Sequence, residues 1–262
     1  MELNYDFFYQ WTTKNLKLNL DGYKETQLQR RIATSMKNAG AESLEEYAVV
    51  IEKNPEAKQK FLDYITINVT DFFRNKDIFE EFEDQLVNEL LVKFPSLKIW
   101  SAACSTGAEA YSIAMILAKH NVKLQNKILA TDIDETILQK GRDGIYNEYE
   151  LKNLEYNLRD KYFQETKGKY HVNNSIKRTV EFKRHDLISD AYPKNYHVIV
   201  CRNVMIYFKN DVKNEIYRKI SEALVPGGLY FAGATETIYN PAQYNLKKLT
   251  PFIYQKDTEL AR

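Results

Sequence analysis

Apolar positions over the first part of the chain recur at helical spacing. In TQLQRRIATSMK, Leu28, Ile32 and Met36 stand four residues apart and form one helical face that leaves Arg30 and Arg31 off the stripe. SLEEYAVVIEKN opens on Ser43 with Glu46 three residues later, the pattern of a capping box. Pro55 suits the first turn of the next helix, PEAKQKFLDYITIN. From about residue 97 the rhythm changes to β-rich apolar runs alternating with amphipathic helices, the pattern of a parallel sheet covered on both faces. KIWSAAC, KILATDI, TVEFKRHD, YHVIVCRNV and GLYFAGATE read as successive strands. AEAYSIAMILAKH follows the first as a helix, and KNDVKNEIYRKISEALVPGG supplies another that ends at Pro226 and Gly227. LKKL and PFIYQK predict a closing antiparallel hairpin, and a polar stretch at about 141–178 is expected to hold helices and a small β insertion.

The expected organisation is a helical N-terminal region over 1–66, a linker and helix over 67–96, and an α/β domain over 97–262. With 44% hydrophobic and 28% charged residues the chain is of ordinary globular composition, and a net charge of +1 gives no broad attraction to nucleic acid or an anionic membrane. MELNYDFFYQW lacks the basic start and apolar run of a signal peptide, so a cytoplasmic protein without membrane insertion is expected. Cys104 and Cys201 lie apart, and four scattered histidines complete no metal-site spacing, so neither a metal nor a disulfide framework is expected.

The strongest chemical signal is the strand, turn and helix of IWSAACSTGAEAYSIAM. In doubly wound folds the cofactor sits beyond the carboxyl ends of the strands, and Gly107 would let the first turn approach it. One glycine is not the G-x-G-x-x-G that cradles a pyrophosphate, which favours a nucleoside without phosphates over a dinucleotide. The second strand ends at Asp132, whose two carboxylate oxygens suit a pair of ribose hydroxyls; Asp134 is assigned to capping the next helix. Arg202 and Asn203 break an apolar run at a strand's carboxyl end, where a core strand would not tolerate them unpartnered. Arg74 is a lone cation beside Phe72 and Phe73, which on its own also fits a surface arginine. No Asn-Pro-Pro-Tyr motif stands in the chain, which weighs against an amine acceptor.

The strings NVTDFFRN, WSAACSTGAEAYSIAM, ILATDID, GIY at 144–146, YF and GKY within 162–170, VIVCRNVMIYF and LVPGGLYFAGATE occur in one order over 65–255. Together they resemble the CheR family, glutamate O-methyltransferases of bacterial chemotaxis receptors. The resemblance implies a Rossmann-like class I methyltransferase sheet, mostly parallel with an antiparallel last strand, and a small all-α N-terminal domain that recognises substrate. It further implies that Asn68, Thr70 and Arg74 meet S-adenosylmethionine from the linker segment and that Glu109 binds it after the first strand. Asp132 would take its ribose, Asp186 and Leu187 its adenine, and Arg202 with Asn203 would wall the sulfonium. Arg74 and Tyr207 are the implied catalytic residues. The family's Gly-Glu-Glu-Pro-Tyr-Ser reads GAEAYS here, so Ala108 and Ala110 depart from it while Glu109 is kept. The insertion at 164–180 is short, as in members that work without a receptor tether.

A glutamate side chain is ionised at neutral pH and already nucleophilic, so the expected reaction needs placement and exclusion of water rather than a general base. Its products would be a glutamate methyl ester and S-adenosylhomocysteine. Between Lys14 and Lys37 six basic residues (Lys14, Lys17, Lys24, Arg30, Arg31, Lys37) face two acids, Asp21 and Glu25. Arg30, Arg31 and Lys37 are therefore candidates for docking an acidic receptor helix by charge complementarity, with a monomeric enzyme expected. Two other readings fit the same strings: a methyltransferase for a different carboxylate acceptor, and a signalling adaptor that binds S-adenosylmethionine with weakened catalysis.

Overall fold

The computed structural model describes residues 3–68 and 70–258; Val69 of the Asn-Val-Thr string and the final 259–262 lie outside the described residues. The described chain forms two compact units. One comprises the residues up to Asn68 together with Tyr207–Lys213, and the other the remainder. No helix among the described residues is long and apolar enough to cross a membrane.

The first unit holds helices α1 (Tyr5–Leu16), α2 (Glu25–Asn38), α3 (Leu44–Lys53) and α4 (Pro55–Thr66). Leu28, Ile32 and Met36 are buried on α2 as their spacing predicts, and Arg30 stays exposed. Phe8, Tyr47 and Phe61 form the aromatic centre: Phe8 stacks on Tyr47 at 5.8 Å and meets Phe61 edge-on at 5.6 Å. Asn54 ends α3 and also caps α4, accepting from Glu56 N and Ala57 N ahead of Pro55 at the first helical position. Ser43 accepts from Glu46 N as expected, whereas the Glu46 carboxylate reaches back to Glu42 N at 2.8 Å rather than to Ser43's own N–H. The segment at Tyr207 joins this unit as a short antiparallel bridge between Tyr23 and Phe208, with Lys24 N donating to Tyr207 O and Lys209 N to Gly22 O.

The second unit begins with α5 (Lys76–Gln85), continued by a π-turn over Leu86–Leu90 into α6 (Leu91–Lys93). The chain then runs through β1 (Ile99–Ala102), α7 (Ala108–Lys119), β2 (Ile128–Asp132) and α8 (Glu135–Asp143). The polar stretch contains β3 (Ile145–Tyr146), α9 (Tyr156–Tyr162), β4 (Phe163–Thr166), β5 (Lys169–Val172) and α10 (Asn174–Lys177). Its three strands make a small antiparallel sheet in the order β3-β5-β4, turned at Lys167 and Gly168, both at positive φ as a two-residue primed turn requires.

After β6 (Val180–Arg184) and β7 (Tyr196–Cys201) come α11 (Asn210–Ala223), β8 (Leu224–Ala232), β9 (Leu246–Lys248) and β10 (Ile253–Lys256). The main sheet has the order β6-β2-β1-β7-β8-β10-β9, parallel from β6 to β8, with β10 antiparallel to both its neighbours. This is the mixed α/β class with a mostly parallel sheet that the sequence predicts. The helix before β8 stops at Ala223, three residues short of Pro226. Leu224–Gly228 instead enters the strand through a register shift opposite Tyr196 and Val198, where an irregular ladder tolerates a proline.

Because β1 lies between β2 and β7, the connections leaving β1 and β7 diverge. A crevice at the carboxyl ends of the strands is the consequence of that reversal.

Candidate active site at the carboxyl rim of the sheet

The loops after β1, β2, β6, β7 and β8 supply this rim. The one after β1 is tightly wound, with Ala103, Ser105 and Gly107 all at positive φ, and it is pinned where Cys104 N donates to Thr131 O at 2.8 Å. Ser105 Oγ and Thr106 Oγ1 are buried there without a hydrogen-bond partner among the described residues, the condition of groups that await a ligand. Gly107 is also needed for packing. A Cβ on it would stand 2.7 Å from two ring carbons of Phe182 on β6 and 3.4 Å from Gly141 Cα, so it permits helix-to-sheet packing at φ +84°.

Asp132 ends β2 and is 8% exposed. Its Oδ2 accepts from Ser105 N at 2.9 Å and its Oδ1 from Asp134 N at 3.2 Å, and the Ile133 N–H also favours its ionised form. Burial pushes this carboxyl up to about 6, against the pull of those N–H groups. Asp134 caps α8 by accepting from Thr136 N and Ile137 N.

Glu109 lies in the first turn of α7, buried. Its Oε1 accepts from Ser101 Oγ at 2.8 Å, and its Oε2 lies 3.5 Å from Arg202 Nη1. Burial raises its carboxyl, opposed by Arg202 and Ser101. The Arg202 guanidinium lies 4.7 Å from the Phe231 ring centroid and 5.0 Å from that of Phe79, and burial depresses its basicity while Glu109 and Glu236 sustain it. It also donates to Arg74 O at 2.9 Å and Asn75 Oδ1 at 3.3 Å. This guanidinium thus ties the end of β7 to the turn before α5 from a buried position.

That turn is held firmly. Phe73 and Asn75 have positive φ, Phe72 N donates to Glu150 O, Phe73 N donates to Ser112 Oγ, and the buried Phe72 ring packs edge-on against Tyr146 and Phe163. Arg74 and Thr70 in the same segment are half-buried. Asp186 and Leu187 follow β6 in a compact turn: the Asp186 carboxylate accepts from Ile188 N and Ser189 Oγ, and Leu187 O accepts from Tyr192. The acid at 186 is engaged in shaping its own loop.

One acid escaped the sequence reading. Glu236, 4% exposed, follows β8 and its Oε2 accepts from Asn203 N at 2.8 Å and Gly233 N at 2.9 Å. In sequence it resembles a solvated turn residue in GATE, and only the tightness of Gly233 beside it hinted otherwise.

The remaining predicted residues belong to the helical unit. Arg30, Arg31 and Tyr207 line one cavity of about 190 Å³ there, with Tyr23, Lys24 and Ile65 among its other walls. The Arg31 guanidinium lies 4.4 Å over the Tyr64 ring and donates to Tyr64 O, while its buried Nε has no hydrogen-bond partner among the described residues. Lys37 is exposed in the last turn of α2, away from the cavity lining, and Asn68 Nδ2 donates to Thr66 Oγ1.

Residues 68–253 match the family model described as "CheR methyltransferase, SAM binding domain", and residues 4–66 match "CheR methyltransferase, all-alpha domain". The chain is 37% identical over 257 residues to a chemotaxis protein methyltransferase of Listeria monocytogenes, covering 98% of each chain. It is 34% identical to one from Borreliella burgdorferi, over 93% of this chain and 90% of the relative, and 32% identical to one from Escherichia coli, over 91% and 86%.

Proposed function

The chain belongs to the CheR family of S-adenosylmethionine-dependent methyltransferases, and on that premise we propose that it methylates glutamate side chains on the cytoplasmic helices of chemotaxis receptors, working in the cytoplasm as a monomer. The observation that carries the donor site is at the rim: Asp132, buried at the end of β2, accepts from Ser105 N, and the hydroxyls of Ser105 and Thr106 in that loop are buried with no partner among the described residues. A cationic nucleoside without phosphates suits such a rim in charge and in hydrogen-bonding need.

When bound, S-adenosylmethionine supplies an electrophilic methyl group. Asp132 offers its carboxylate oxygens to ribose hydroxyls, Gly107 sets the path of the adjoining loop, and Glu109 adds negative charge beside it. Leu187 with the Asp186 turn takes the base. Asn68, Thr70, Arg202 and Asn203 complete the donor site, with Arg202 fixing the turn that carries Arg74. Arg74 orients the incoming carboxylate, and Tyr207 donates a hydrogen bond during transfer. An ionised glutamate needs no base, so these residues orient and desolvate it.

Recognition of the acceptor falls to α2, where Arg30, Arg31 and Lys37 meet the acidic face of a receptor helix. The test is to incubate the protein with methyl-labelled donor and the host's membrane fraction. Base-labile label on receptor bands is expected. Base-stable label, or label confined to other proteins, would overturn the assignment.

A further inference from the structure

Glu236 has no assigned role, yet it is a nearly fully buried carboxylate that joins two loops of the rim. Its Oε2 receives N–H bonds from Asn203, which leaves β7 at φ +59°, and from Gly233, which leaves β8. The N–H groups of Met205 and Ile206 add to the stabilisation of its charged form. Burial raises this carboxyl against the pull of those N–H groups, and the N–H groups of Asn203 and Gly233 meet on one buried oxygen, which ties the loop after β7 to the loop after β8. Gly233 cannot carry a side chain here: a Cβ would stand 2.3 Å from Glu236 Oε2 and 2.7 Å from Asn203 N. Acid, glycine and loop form a single clamp.

We propose that Glu236 is a positioning residue that holds the Asn203–Ile206 loop in the shape that receives the methyl donor, with Gly233 as its obligatory partner. The inference rests on the reading of Arg202 and Asn203 as part of the donor site. Glu236 acts through the backbone of that loop, and its charge also reaches Arg202, whose protonated form it favours. Glutamine at this position conserves the side-chain volume and can keep an oxygen in the place of Oε2, but it is neutral, so the two N–H bonds lose their charge assistance and the clamp loosens.

Three variants of the full chain, Glu236→Gln, Gly233→Ala and the double variant, are compared with the parent in calorimetric binding of S-adenosylhomocysteine. Amide hydrogen exchange at Asn203 is followed alongside, at a temperature where circular dichroism reports each protein folded. The expected result is at least tenfold weaker binding for each single variant, faster exchange at Asn203, and a double variant no worse than the weaker single one, because both changes break the same clamp. Glu236→Asp is expected to recover part of the affinity. Affinity within twofold of the parent in a folded Glu236→Gln protein, or losses that add in the double variant, overturns the clamp and leaves the donor site standing. A parent that fails to bind S-adenosylhomocysteine overturns both. If Glu236→Gln does not fold, Gly233→Ala and Glu236→Asp carry the same comparison.

Discussion

Affinity for the donor or its demethylated product is expected to fall steeply below pH 6, and the fall should trace to Asp132. In the free protein burial holds this carboxyl at about 6. Ribose hydroxyls donate to it, so they favour the ionised form, and a protonated Asp132 would spend one oxygen as a donor facing another donor. Protonation therefore competes with binding. The apparent dissociation constant scales as one plus the ratio of proton concentration to the acid constant. This gives about a 1.1-fold effect at pH 7 and about 11-fold at pH 5, or ~1.4 kcal/mol between them. The full effect requires that the bound complex titrate below pH 5.

Calorimetric titration of S-adenosylhomocysteine from pH 7.5 to 5, repeated in buffers of different ionisation enthalpy, reads both the affinity and the protons released. Burial also raises the carboxyls of Glu109 and Glu236, so Asp132→Asn is the control. This variant should bind at least about tenfold more weakly at pH 7 and lose about one proton's worth of pH dependence. A parent whose affinity at pH 5 lies within twofold of its value at pH 7 would refute the reasoning, as would a variant that retains the parent's slope.

Without ligand the same group acts on stability with the opposite sign. Its folded value lies above the ordinary 3.8, so the protonated form is favoured by folding, and lowering the pH from 7 to 5 should stabilise the free protein by about 1.3 kcal/mol through Asp132. Urea unfolding at both pH values should show that share of the gain missing in Asp132→Asn; an equal gain in both proteins would contradict it. Arg30→Glu with Arg31→Glu should lower receptor methylation at least tenfold at low salt while leaving S-adenosylhomocysteine affinity unchanged, checked by labelled transfer and calorimetry. Gly107→Ala combines a strained φ with a ring contact at 2.7 Å and should cost about 2–4 kcal/mol in urea unfolding.

Much of this architecture is legible from local pattern because local pattern causes it. The four-residue spacing of Leu28, Ile32 and Met36 creates a face that must be buried, and the polar break at Arg202 and Asn203 marks the end of a buried strand. Asp132 ends β2 as the close of its apolar run predicts. What stayed hidden depends on partners distant in sequence. Gly107 answers to Phe182, and Glu236 answers to the N–H of Asn203 across two loops. Arg202 turns inward because Phe79, Phe231 and Glu109 together enclose it, which no window of sequence contains. Pro226 misled the end of α11, since a proline stops a helix but also sits in a bulged strand.

Tyr207–Lys213 packs with the helices although it follows the fourth parallel strand, its backbone bonded to Gly22 and Lys24. Whoever wishes to exchange the helical unit with a relative's must transplant two pieces of chain together. A fragment cut at residue 66 would leave the N–H of Lys24 and the carbonyl of Gly22 without these partners, and a chimera joined there would set one protein's helices against another's Tyr207–Lys213 segment.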